Sequence, residues 1–174
     1  MTRVAVASLI VLAACGGQQS RSGPAAVAPA RTAQMVDTAG KSVGSASLLE
    51  ARGGLLLVLK LQRMPPGTHG LHIHEAGTCT PPTFESAGPH LNPDKRKHGA
   101  RNPAGPHAGD LPNVRAQAGG AVDTTLTLSR DPLAELLTRG SAPRALVLHA
   151  RADDMMTDPS GNSGDRIACG VLGA

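Results

Sequence analysis

All seven histidines of this chain lie between His69 and His149, and six of them, with Asp110, fall at spacings that read as two metal sites sharing one ligand. A fold that serves them has to bring segments from across that stretch to one place. In Gly70-Leu71-His72-Ile73-His74 the two-residue period of a strand sends both imidazoles to one face and Leu71 and Ile73 to the other, into a core. His149 follows the apolar run Ala145-Leu146-Val147-Leu148, so a second strand presents a third imidazole from its end. His90 offers a fourth from a long loop, and His98, His107 and Asp110 follow on the same loop.

Alone, a strand histidine is more often a structural hydrogen-bonding residue, and an aspartate in a Gly-rich loop more often caps a turn. Together they match two first shells of nitrogen donors with one oxygen. If one imidazole is shared, seven residues fill eight coordination positions. Such a donor set points to borderline transition metals such as copper and zinc.

Glycine (21) and proline (14) are abundant, and short apolar runs are separated by turn signals, the pattern of an all-β sandwich or barrel with few helices. Strands are predicted at Ala33–Val36, Val43–Glu50, Leu55–Leu61, Gly70–Glu75, Arg115–Gln117, Ala121–Leu128, Ala145–Ala150 and Ile167–Val171. Turns are predicted at Asp37–Lys41, Arg52–Gly54 and Gly119–Gly120, where glycine supplies positive φ. The stretch Ala76–Pro112 is too long for an ordinary loop, and metal ligation would order it. Pro132–Leu137 is read as loop, although its LAELL run also fits a helical turn.

At the N-terminus, Arg3 precedes an apolar run, Val4–Ala14, far shorter than the roughly 20 residues of a membrane-spanning helix, and residues 1–14 read as an export signal. The run ends in Leu12-Ala13-Ala14-Cys15, which resembles the bacterial lipoprotein cleavage box with Cys15 as the lipidated residue; the alternative is an ordinary secretory signal with an incidental cysteine. Residues 15–33, rich in Gly, Ala, Pro, Gln and Ser, read as a flexible tether, and 34–174 as one folded domain. The expected location is the periplasm or the outer membrane, with membrane contact only through the lipid. With Cys15 lipidated, Cys79 and Cys169 remain as an even pair in an oxidising compartment and are expected to form a disulfide contributing ~2–4 kcal/mol. A thiolate metal ligand is the alternative, disfavoured because the histidines fill the sites.

The formal net charge is +4, or +3 once the signal with its Arg3 is removed. With scattered basic residues, one Phe and no Trp or Tyr, the chain has no stacking platform for single-stranded nucleic acid, so no nucleic-acid partner is expected.

The motifs HGLHIHEAG (69–77), SAGPHLNP (86–93), KHG (97–99), PHAGDLPNV (106–114), ALVLHARADD (145–154) and GNSGDRIACGV (161–171) occur in the order of a known family. In them the chain resembles the copper–zinc superoxide dismutases, closely from Met64 to the end and more loosely before it. The resemblance implies an eight-stranded Greek-key β-barrel or sandwich with long metal-binding loops, and disproportionation of superoxide to dioxygen and hydrogen peroxide by copper redox cycling. It implies copper on His72, His74, His90 and His149, and zinc on His90, His98, His107 and Asp110, with His90 as bridge and proton carrier. Asp153 matches a carboxylate that hydrogen-bonds ligands of both metals, here His72 and His98, and Arg166 matches the arginine at the mouth of the copper channel. Cys79 and Cys169 match the family's disulfide, and His69 aligns outside both shells as a structural residue.

Leu71 and Leu91 stand where the family often has Phe, and aromatic contacts used in many bacterial family dimers have no counterpart, so the reading leans to a monomer. The loop Arg151–Asp165 is short on Lys and Glu, so electrostatic guidance of substrate is reduced. The main rival is an exported copper or zinc carrier without turnover, which would keep the ligands but has no use for Arg166 or a bridging His90. A zinc hydrolase lacks an open zinc position and a spare acid, and a copper-only variant is disfavoured by the complete zinc set.

Overall fold

The computed structural model describes Met1 and residues 29–51, 54–129, 137 and 142–173. The export signal, Cys15, most of the tether, part of the Arg52–Gly54 turn and most of the Pro132–Leu137 patch lie outside the described residues. Eight strands form one antiparallel sheet: β1 (Pro29–Asp37), β2 (Ser42–Ala51), β3 (Gly54–Leu61), β4 (Gly67–His74), β5 (Asp110–Ala116), β6 (Val122–Ser129), β7 (Arg144–His149) and β8 (Arg166–Leu172). Their order is β5-β4-β7-β8-β1-β2-β3-β6, and the end strands β5 and β6 touch, so the sheet is a nearly closed Greek-key barrel. Among the described residues the only helix is a 3₁₀ turn, Glu85–Ala87.

Alternation sets the core. On β3, Leu55, Leu57, Leu59 and Leu61 all point inward, and Ala33 and Met35 do so on β1. On β2 the inward set shifts phase between Val43 and Ala46, at Gly44, whose φ is 140°. A Cβ there would lie 2.0 Å from the Lys60 carbonyl oxygen, so only glycine lets the neighbouring strand approach.

β4 and β7 are buried on both faces. Leu71, Ile73, Leu146 and Leu148 fill the barrel, while Ala145 and Val147 face outward onto a second apolar cluster with Phe84, Ala87 and Cys169. That cluster anchors the long loop against the outside of the barrel, and the Cys79–Cys169 disulfide (Cα–Cα 5.7 Å) ties it to β8. The loop is therefore a lid of fixed course over the strand pair that carries His72, His74 and His149.

Two strands differ from expectation. β1 opens at Pro29, ahead of Ala33, because its backbone finds partners along β2 as far as Leu49. β5 runs over Asp110–Ala116 rather than starting at Arg115, because His72 pairs with Asp110 and Leu71 with Leu111. Pro112 lies within this strand, which ends the sheet order, and an edge strand tolerates a residue without an N–H.

Candidate metal centre

The sheet brings His72, His74 and His149 together on the outside of the barrel, and the loop adds His90. Backbone bonds lay the loop beside the end of β4: Leu91 N–H donates to the Ile73 carbonyl, Glu75 N–H to Pro89 and Ala76 N–H to Ala87. This pairing faces His90 onto His74, with ring centroids 4.9 Å apart, and onto His72 at 4.0 Å. All four are buried, and His72, His74, His90 and His149 offer nitrogens within 4.8 Å of one another.

Each strand-borne ring has one nitrogen tied and one bare. His74 Nδ1 lies 2.8 Å from the Gly88 carbonyl, His149 Nδ1 2.9 Å from the Gly164 carbonyl, and His72 Nε2 2.7 Å from Asp153 Oδ2. An oxygen acceptor fixes the N–H at the tied nitrogen, so the opposite nitrogen carries the lone pair. Those opposite atoms, His72 Nδ1, His74 Nε2 and His149 Nε2, are buried without a hydrogen-bond partner. Each such orphan costs about 1–3 kcal/mol. A cation accepting all three lone pairs removes that cost, so the donor set fits a metal.

The second group is built on Asp110. Its Oδ2 accepts the backbone N–H groups of Gly99 (2.8 Å) and His107 (3.0 Å), which leaves Oδ1 free to face three imidazoles. His90 Nδ1, His98 Nδ1 and His107 Nδ1 lie 2.9, 3.1 and 3.2 Å from that oxygen, and His107 Nδ1 is 3.4 Å from His90 Nδ1. A tetrahedral zinc shell with bonds of about 2.0 Å has ligand–ligand edges of about 3.3 Å. His98 Nδ1 is close to Asp110 Oδ1 yet is buried without a hydrogen-bond partner, so its lone pair is bare like those of the strand-borne rings. His72 also lies within 4.8 Å reach of His90, His98 and Asp110, but its Nε2 is committed to Asp153.

Asp153 spans the two groups, its Oδ1 3.0 Å from His98 Nε2 and its Oδ2 on His72. It is held in turn by Asn113, which donates to its carbonyl and accepts from its N–H, both at 2.8 Å. Gly161 packs against it so tightly that a Cβ would fall 1.8 Å from Oδ1. Arg166 donates Nη1 to the Phe84 carbonyl (2.7 Å) and Nη2 to that of Gly88 (2.9 Å), the oxygen that also orients His74. It lines an open cavity of about 440 Å³ with Thr83, Glu85 and Asp165.

Burial first, then neighbouring imidazoles and Arg166, push His74 down to about 2 and His149 to about 3. Burial likewise lowers His90 to about 4, against the pull of Asp110. These rings are neutral donors at neutral pH. Burial also opposes charge on His98, but Asp110 and Asp153 together outweigh it and raise the ring to about 9. Both carboxyls, despite burial, are held below the usual carboxylate range by their imidazole partners.

His69 stays outside both groups, its ring nitrogens each 2.8 Å from a carbonyl, those of His149 and Pro65. Asn113, Gly161, Phe84 and the Gly88 and Gly164 carbonyls were not singled out in the sequence. Three of these act through the backbone, which leaves no side-chain signal, and only Asn113, inside PHAGDLPNV, had a polar side chain to notice.

The family model for copper/zinc superoxide dismutase matches residues 42–172. A copper–zinc superoxide dismutase of Aquifex aeolicus is 43% identical over 146 residues, covering 80% of this chain and 84% of that protein. The crystal structure of a SOD-like protein from Bacillus subtilis is similar at 39% identity and a TM-score of 0.74, covering 83% of this chain and 99% of that one. The Cu/Zn superoxide dismutase of Brucella abortus follows at 32% identity and a TM-score of 0.67, covering 81% and 97%.

Proposed function

The chain belongs to the copper/zinc superoxide dismutase family, which uses copper and zinc, and on that premise we propose that it is an active, exported dismutase turning two superoxide ions and two protons into dioxygen and hydrogen peroxide. We assign copper to His72, His74, His90 and His149, and zinc to His90, His98, His107 and Asp110. The observation that carries this reading is the set of bare, buried nitrogens on His72, His74 and His149, with His90 belonging to both donor groups.

Bound there, copper would supply one-electron exchange with superoxide in both directions, and redox-silent zinc would add charge without exchanging electrons. The protein's own groups do the rest. Arg166, permanently cationic and braced by two carbonyls, keeps N–H donors for the incoming anion at the cavity mouth. His90 has Nδ1 committed to the Asp110 side, so its Nε2 holds a proton in one half of the cycle and gives it to the departing peroxide oxygen in the next. Solvent supplies the second proton. The lid excludes bulk water from the strand-borne rings, three of which are at most 3% exposed.

The N-terminal residues support export with a lipid on Cys15, and the absence of Trp and Tyr, with Leu71 and Leu91 where the family often has Phe, supports a monomer. The direct test is a superoxide assay on protein whose copper and zinc contents have been measured. Turnover in proportion to copper is expected. Full occupancy of both metals without turnover would make the chain a carrier instead.

A further inference from the structure

A second cavity, of about 290 Å³, is lined by His90, which does not line the Arg166 mouth. Glu75, Asn92, Arg96 and Asp158 line it together with the rings of His90 and His107, and it shares no lining residue with the Arg166 cavity. His90 and His107 are 6% and 7% exposed, while the side chains of His98 and Asp110 behind them are 0% and 2% exposed. The His90 and His107 rings stand edge to face with centroids 5.5 Å apart, and the Nδ1 atom of each lies within 3.2 Å of Asp110 Oδ1.

Resting on the ligand assignment above, we infer that this cavity is the entrance through which a divalent cation loads the Asp110-centred set, separate from the mouth that admits the anion. The Arg166 mouth is lined by no residue of the Asp110-centred set, and its guanidinium stands on the Gly88 carbonyl beside His74. Each cavity carries two carboxylates and one arginine, Glu85, Asp165 and Arg166 in the first and Glu75, Asp158 and Arg96 in the second, but only the second is lined by His90 and His107. Asp158 is engaged by Lys97 (3.0 Å) and by the His98 N–H (2.7 Å), and His107 Nε2 faces it across 3.9 Å. Glu75 pairs with no cation among the described residues, so its carboxylate is the one free to take a hydrated ion and hand it to the imidazoles. Arg96, held by Asn92 through its backbone, is the one cation on the wall.

The test is the rate at which metal-free protein takes up one equivalent of Co²⁺, followed by growth of the tetrahedral visible band. At low ionic strength Glu75→Lys is expected to slow uptake about tenfold and Glu75→Gln by a smaller factor. Both should reach the parental spectrum and converge on the parental rate at high salt. Thr83→Lys, which shifts the charge at the Arg166 mouth by +1 as Glu75→Gln does at the second cavity, should leave the rate unchanged. Parental uptake by Glu75→Lys, or equal slowing by Thr83→Lys, would overturn the entrance. A parent protein that binds Co²⁺ without a tetrahedral band would overturn the ligand set, and the entrance with it.

Discussion

A carboxylate that holds ligands from two donor groups, as Asp153 does, makes both groups depend on one side chain. Asp153→Asn keeps the size but gives one of its two imidazoles an amide N–H where an acceptor stood. It is expected to weaken both metals about 10–100-fold in chelator competition; loss of one metal alone would show that His72 and His98 are oriented independently. Gly161→Ala should reproduce much of that loss, because its Cβ would displace Asp153 Oδ1 and its backbone sits at φ 64°. Arg166→Ala should slow turnover while leaving copper content at the parental level, and equal activity would remove the anion-binding role. The ligands were legible in the sequence because their chemistry resides in side chains at strand and motif spacings. Their supports were not, because the oxygens that orient His74 and His149 belong to Gly88 and Gly164 backbones.

At the scale of elements, the centre depends on a loop being as fixed as the strands beneath it. Phe84, the chain's one aromatic residue, is fully buried between the loop and the outer face of β7, and its carbonyl braces Arg166. Phe84→Ala is expected to cost about 3–5 kcal/mol in denaturant unfolding and to slow turnover as well. The disulfide closes a separation of 90 residues, so replacing both Cys79 and Cys169 with Ser should cost about 2–4 kcal/mol. The alternating strands β2 and β3 were readable from sequence, since one face of each is apolar. The start of β5 was hidden because Asp110-Leu111-Pro112 closes the long stretch Ala76–Pro112 that has no apolar periodicity, and only its pairing with His72 and Leu71 makes it a strand.

Across the whole molecule, the barrel supplies a rigid wall, and the buried imidazoles make metal-free stability depend on pH in a defined sense. His74, His90 and His149 titrate in the folded chain near 2, 4 and 3, below their ordinary value of 6.5. Below about pH 6.5 the unfolded chain therefore binds more protons, and stability falls as pH falls. His98, raised to about 9, acts oppositely: its contribution is complete below 6.5 and is lost as pH rises through 9. The melting temperature of metal-free protein should thus peak near pH 6.5, with the steeper decline on the acid side; bound metals, which displace protons from these rings, should remove the decline above pH 6.5 and steepen the one below it. A monotonic rise to pH 9 in the metal-free protein would contradict the charge assigned to His98. The most direct test of the central claim, that the His90 ring joins two cations, is the electron paramagnetic resonance of protein carrying Cu²⁺ in the strand-borne set and Co²⁺ in the Asp110 set. A shared imidazolate couples the two spins, so the ordinary copper signal should vanish as cobalt fills its site; a copper signal of full intensity with cobalt bound would contradict the bridge.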